Sequence, residues 1–287
     1  MTLKEYLRRA TDEGWATGHF NASELDQMRA IVEACKETGS PAIIGTSEGE
    51  RKHLGNTEVL AVRDALRRDY GIPIFLNADH HKSVDSAKEA VDAGYDSVHI
   101  DLSAMPFAEN ISGTKIIAEY AKLKNPEISV EGESGYLKGE SKVQDKKIEV
   151  KPEDYTQPEE AAEFVEKTGV DRLAIVVGNI HGISLDEPRL DASRILEIRR
   201  AVPKEVALVL HAGSGIPEDQ IAAAIGAGIA NIHINTDIRV AFVKALKKTL
   251  REELNEVAMY KLDQGAIKAM KEVVKEKLKL FGALNKL

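Results

Sequence analysis

The chain has 287 residues, enough to bury the core of one large α/β domain or two small ones. Hydrophobic residues make up 43% and charged residues 30%, a soluble globular balance, and 39 Lys and Arg against 47 Asp and Glu give a net charge of −8. That sign, without a basic cluster, argues against nucleic acid as a partner; no apolar run is long enough to span a bilayer, and the single cysteine, Cys35, excludes an internal disulfide and a thiolate zinc motif.

The first residues, MTLKEYLRRATDEG, predict a helix and lack the long apolar core of a secretory signal, so a cytoplasmic protein is expected. A strand is expected at 17–21 (TGHFN), then an amphipathic helix at 24–37 in which Cys35 is a buried structural thiol. Strands follow at 41–46 (PAIIGT), 73–78 (PIFLNA), 96–101 (DSVHID) and 127–132 (EISVEG), separated by helical patterns at 57–70, 83–94 and 109–123. A highly charged stretch at about 136–157 interrupts the rhythm and reads as an active-site lid. Helix 158–169, strand 172–178 (RLAIVVG), helix 191–202, strand 206–211 (VALVLH), helix 217–228 and strand 230–235 (ANIHIN) complete the alternation. Gly71, Gly94, Gly169 and Gly228 stand where helices must stop, as a left-handed cap requires.

The strands are mostly apolar runs, as a parallel sheet covered on both faces needs. Eight of them, each followed by a helix, predict a single (β/α)8 TIM barrel over 1–287, with a helical C-terminal extension at about 237–287 that packs outside the barrel or against a partner subunit. His80, His181 and His211 each close an apolar run, so the barrel brings them to its C-terminal rim, where three neutral nitrogens around an open position make a catalytic zinc site. His81, beside His80, points to the other face; His19 is read as structural, His53 falls in a charged loop, and His99 and His233 sit inside strands. Asp79, Asp101, Glu131 and Glu133 surround the same rim, as helix caps and ion-pair partners or as metal ligands, orienting groups and acid–base catalysts. The turns Gly213-Ser214-Gly215 and Asn235-Thr236-Asp237 follow strands seven and eight, where such barrels often bind phosphate; Gly178 and Gly182 beside His181, and Ser47 after strand two, add candidate donors.

These residues resemble the class II, zinc-dependent ketose-bisphosphate aldolases, nearly end to end. The resemblance is carried by FNASELDQMRAIVEA, ADHHKSVDSAKEAVDAGYDSVHIDLSAMPFAENI, VEGESG, GNIHGI, LVLHAGSGIP and INTDIRVAF. It implies that His80, His181 and His211 hold zinc (Co2+ or Fe2+ as substitutes), with Glu133 as an additional or alternative ligand. Asp79 exchanges a proton with the hydroxyl at the bond being broken, Glu131 and Asp101 support the ligands, and Gly182, Gly213, Ser214, Asn235 and Thr236 hold the phosphate of the dihydroxyacetone half. A lid Glu serves as base in this family, which here points to Glu140. The substrate implied is fructose 1,6-bisphosphate, with tagatose 1,6-bisphosphate or another sugar phosphate as alternatives, and the assembly a homodimer or homotetramer. A metal-containing sugar-phosphate binder without catalysis, a metal-dependent hydrolase and a Schiff-base aldolase are the competing readings. The chain departs from the family at Ala212 (commonly Gly), at His233 (commonly Asn), and in lacking the C-terminal Asp-Pro-Arg, for which Arg239 or Lys261 is the candidate substitute.

Overall fold

The computed structural model describes residues 1–144, 148, 150–183 and 189–287. Its strands, in chain order, are β1 (Thr17–Asn21), β2 (Ala42–Thr46), β3 (Ile74–His81), β4 (Ser97–Ile100), β5 (Ser129–Ser134), β6 (Gly139–Val143), β7 (Arg172–Ile175), β8 (His181–Ile183), β9 (Ala207–Leu210) and β10 (Ile229–Ile234). The helices are α1 (Leu3–Glu13), α2 (Leu25–Thr38), α3 (Glu48–Leu54), α4 (Asn56–Tyr70), α5 (Val84–Ala93), α6 (Phe107–Lys124), α7 (Pro158–Thr168), α8 (Ala192–Ala201), α9 (Glu218–Gly226), α10 (Thr236–Glu252), α11 (Met259–Leu262) and α12 (Gln264–Leu280).

Eight strands close a parallel barrel in the order β1-β10-β9-β7-β5-β4-β3-β2. All eight predicted strands lie in it, and the predicted helices follow them on the outside, so the fold is the expected (β/α)8 barrel. Alternation along each strand divides the residues between two buried surfaces. Phe20, Leu76, Val98, Val130, Ile232 and Ile234 belong to the apolar core. Their neighbours in sequence, Asn21, Asn77, Ser97, His99, Glu131, Asn231 and His233, are buried polar residues.

Gly71, Gly94 and Gly169 cap their helices in the left-handed conformation. The fourth expected cap differs: α9 stops at Gly226 with Ala227 as its right-handed cap, and Gly228 (φ 120°) bends the chain into β10 one residue later.

The C-terminal stretch is helical, as expected. α12 packs against α2 and β1, taking the eighth helix position, and α10 lies outside it, reaching β6 and β8. Those two strands are not part of the barrel: they pair with each other in parallel, Gly139 opposite His181. Residues 145–147 and 149 of the charged segment lie outside the described residues. No helix among the described residues is long and apolar enough to cross a membrane.

Candidate active site

The ends of β3, β5, β9 and β10 converge with β8 at one mouth of the barrel. His80 stands at the end of β3 with φ 49°, a left-handed conformation that costs a non-glycine residue about 1–3 kcal/mol. The pairing register between β3 and β4 shifts there, between Ala78 and His81. Two groups hold this kink: the buried Arg51 guanidinium donates to the Thr46 and Asp79 carbonyls, and His80 Nδ1 donates to Asp101 Oδ2 at 2.8 Å. Asp101 also accepts from Lys82 and from the Ser103 hydroxyl. His81 turns away, as the strand period predicts, and bonds Ser86 Oγ through Nδ1 at 2.6 Å. Ala212 repeats the left-handed geometry after His211 (φ 59°), which is why glycine is the easier residue there.

The three histidines expected at the rim do meet. Ring centroids of His80 and His211 are 4.7 Å apart, of His80 and His181 5.2 Å, and of His181 and His211 6.3 Å. Two further imidazoles join them. His99 lies 4.5 Å from His80 and 4.8 Å from His211, and His233 lies 3.9 Å from His211 while stacking on His19 at 3.6 Å. Gly45 makes room for that stack, since a Cβ there would sit 2.1 Å from His19 Cε1.

Carboxylates sit between these rings. Glu131 accepts from His211 Nε2 at 2.6 Å and pairs with Arg172 at 2.7 Å, all three side chains essentially inaccessible. Asp79 Oδ2 accepts from Asn21 Nδ2 at 3.2 Å, while its Oδ1 is 3.7 Å from both His99 Nδ1 and His233 Nδ1. Glu133 Oε2 is 3.6 Å from His99 Nε2.

The charge states follow from this packing. Burial opposes a charge on His80, but Asp79, Asp101 and Glu133 outweigh it and raise its pKa to about 9. Burial alone dominates at His99, lowering it to about 4, and at His211, lowered to about 3 with help from His80. Burial and then His80 hold His181 well below the usual range; at His233 the further causes are His19 and His211. Burial works against the Asp79 charge, yet His80, His233 and His99 keep it a carboxylate, whereas burial and Asp101 raise Glu133 to about 8.

Several buried atoms have no hydrogen-bond partner: Asp79 Oδ1, Glu133 Oε2, His233 Nδ1 and both nitrogens of His99. A buried polar atom left unmatched costs about 1–3 kcal/mol. Asp79, His80, His99 and His211 each offer one ligand atom, all within 4.8 Å of one another, and His80, Asp101 and Glu133 form a second such group. Neutral imidazole with carboxylate is the donor set of a divalent transition metal, so the residues fit one.

A cavity of about 100 Å3 opens onto these groups, lined by Asn21, Ser47, Asp79, His80, His181, Gly182, His211, Ser214, Asn235 and Thr236 among others. Ser214 Oγ accepts from the Asp237 amide at 3.1 Å, and Asn235 Oδ1 is buried without a partner at the start of α10. Gly213 is not on this wall: its amide already donates to the His233 carbonyl at 3.0 Å, so it has no N–H left for a phosphate. Glu140 lies on β6, exposed and paired with Lys142 at 2.8 Å, and is not brought to the cavity. Among the described residues no lysine is buried at a strand end, where a Schiff-base aldolase places its amine. Arg239 borders the cavity, bonded to Glu50; Lys261 pairs with Glu256 instead.

Reading each strand only as an apolar run hides the roles of His19, His99 and Arg172, while His233 stands out only as a departure from the family's Asn. A signal was present: by the period of two, His99 shares its face with Asp101, His233 with Asn235, and His19 with Asn21.

A parallel barrel with a ring of imidazoles and carboxylates beside a helix N-terminus is the architecture of a metal-dependent barrel enzyme. The family described as Fructose-bisphosphate aldolase class-II matches residues 1–286, and the chain belongs to that family, as a carbon–carbon lyase. It is 37% identical over 289 aligned positions to a fructose-bisphosphate aldolase of Staphylococcus aureus, covering 100% of this chain and 98% of that one. The crystal structure of the YdjI aldolase from Escherichia coli K12 superposes with a TM-score of 0.82 at 32% identity, over 98% of this chain and 97% of the other. A fructose-bisphosphate aldolase from Campylobacter jejuni has the same fold (TM-score 0.82, 21% identity, 99% of this chain and 94% of that one).

Proposed function

We propose that the protein is a zinc-dependent aldolase that reversibly cleaves a ketose 1,6-bisphosphate, fructose 1,6-bisphosphate first, to dihydroxyacetone phosphate and an aldehyde phosphate. One observation carries the reading: neutral imidazoles, a carboxylate and the start of α10 face the same cavity. His80, His181 and His211, with Glu133, hold the cation, zinc by preference and Co2+ or Fe2+ as substitutes. When bound, such an ion supplies Lewis acidity toward a ketone and its neighbouring hydroxyl. Asp101 and Glu131 take one nitrogen of His80 and of His211, which fixes the ring orientation and leaves the other nitrogen for the ion.

Asp79, ionised at neutral pH, takes the hydroxyl proton at the bond being cleaved and returns it in condensation. Gly182, Ser214, Asn235 and Thr236 hold the phosphate of the dihydroxyacetone half at the positive end of α10, and Ser47 faces it across the cavity. The whole chain acts as one barrel domain, and about 136–157 closes over it as a lid, in keeping with a cavity too small for a whole sugar bisphosphate. Closure carries Glu140 inward to exchange the proton alpha to the carbonyl. The exposed Leu254, Val257, Met259 and Tyr260 supply the contact surface of a homodimer or homotetramer. The buried, unpaired Cys35 agrees with a reducing cytoplasm as the place of work.

The test is a retro-aldol assay on a panel of ketose phosphates, with untreated, chelated and zinc-restored enzyme. Chelation is expected to abolish cleavage of the fructose bisphosphate and zinc to restore it. Cleavage indifferent to chelation, or cleavage of no member by the zinc-loaded protein, refutes the reading.

A further inference from the structure

We propose that His99 is itself a ligand of the catalytic cation, binding it from inside the barrel alongside His80 and His211. The proposal deepens the metal-dependent reading above and rests on it.

Three observations converge. His99 comes from the interior of β4, not from a strand end, yet its ring is nearer to both His80 and His211 than the ring of His181 is: 4.5 and 4.8 Å against 5.2 and 6.3 Å. The compact sets of ligand atoms found among the described residues include His99 with Asp79, His80 and His211, and none includes His181. Finally, His99 is completely buried and neither of its nitrogens has a hydrogen-bond partner. The fold thus buries a two-nitrogen ring that no group among the described residues hydrogen-bonds.

The distances suit an absent ion better than absent hydrogen bonds. His99 Nδ1 is 3.7 Å from Asp79 Oδ1 and from Glu131 Oε1, and Nε2 is 3.6 Å from Glu133 Oε2. Those gaps exceed hydrogen-bond range. Two donors on one tetrahedral zinc, with bonds of about 2.0–2.1 Å, lie about 3.4 Å apart. A ring gives one nitrogen to an ion: Nε2 and the unmatched Glu133 Oε2 stand near that co-ligand spacing, while Nδ1 faces Asp79 and Glu131 on the other side.

The test compares His99→Leu and His181→Leu with the parent protein by three readouts that do not depend on turnover. These are zinc affinity by chelator competition, the visible spectrum of the Co2+ form, and the number of imidazoles counted by X-ray absorption. His99→Leu is expected to lose one imidazole from the count, change the Co2+ bands and weaken zinc at least 100-fold. The metal-free His99→Leu protein is expected to be as stable as the parent or more so, since an unmatched polar ring has gone, while the rise in Tm on adding zinc shrinks. His99→Gln, which keeps a polar side chain, serves if the leucine variant does not fold. An unchanged imidazole count and affinity in the folded His99 variant overturns the proposal. A parent protein that binds no divalent ion overturns instead the metal-dependent reading on which it rests, so the two failures are separable.

Discussion

At the residue scale, the interior of this barrel is held by a few buried charges. Arg172 and Glu131 meet at 2.7 Å with no exposure, and Arg172 also donates to Asn77 Oδ1 at 2.9 Å. Asn77 in turn bonds His19 and accepts from Ser97, so the network runs from the ion pair to the stacked imidazoles. A buried pair adds little net stability, but breaking one half leaves the other charge uncompensated, at about 3–5 kcal/mol. Arg172→Leu is accordingly expected to lose about 3–5 kcal/mol in urea unfolding, and adding Glu131→Gln to recover part of it, because the stranded charge is then gone. A single-variant loss under about 1 kcal/mol contradicts this account.

At the scale of elements, the eight barrel strands are legible because both their surfaces are buried: apolar residues toward the helices alternate with residues toward the axis. The same alternation misleads about chemistry. His99 and His233 sit in the middle of strands and look like filler, while Asp79, His80 and His211, at strand ends, are conspicuous. The small ribbon of β6 and β8 is invisible in sequence, since Gly-Glu-Ser-Lys-Val carries no apolar pattern and its pairing is set by backbone geometry. Gly182 shows how. Its φ is 90°, and a Cβ there would lie 2.1 Å from the Lys142 carbonyl oxygen and 2.5 Å from that of Glu140. Gly182→Ala therefore forces the two strands apart without touching the barrel. Unfolding stability is expected to fall by less than about 1 kcal/mol, while limited proteolysis within 136–157 speeds up in the folded protein and retro-aldol activity drops at least tenfold. Equal proteolysis rates in parent and variant argue that the ribbon does not need this close approach.

At the scale of the whole molecule, the buried imidazoles couple folding to pH. Burial holds His19 and His99 near 4 and His81 and His211 near 3, with Arg51 assisting at His81. In the unfolded chain the same groups titrate near 6.5. Between about pH 6.5 and 4 the unfolded state therefore binds protons that the folded state refuses, and stability falls as the pH falls. Glu133 opposes this: raised to about 8, it keeps its proton in the folded state while the unfolded state loses it above about 4.5. His181 and His233, also held low by burial, add to these four, so the imidazoles outnumber the one carboxyl and set the sign of the slope. His80 acts at the other end, since its pKa is raised to about 9 and the stability it adds below 6.5 is lost as the pH rises through 9. The metal-free protein is thus expected to be most stable near neutral pH, with Tm dropping steeply from pH 6.5 toward 5 and gently above 8. Zinc competes for the nitrogens and oxygen that carry the His80 and Glu133 protons, so its stabilising effect must grow with pH across 6 to 9. Differential scanning calorimetry of chelated and zinc-loaded protein across that range measures both slopes. A Tm for the chelated protein that stays flat from pH 7 to 5 means the imidazoles are not buried neutral, and the electrostatic basis assigned to the site falls with them.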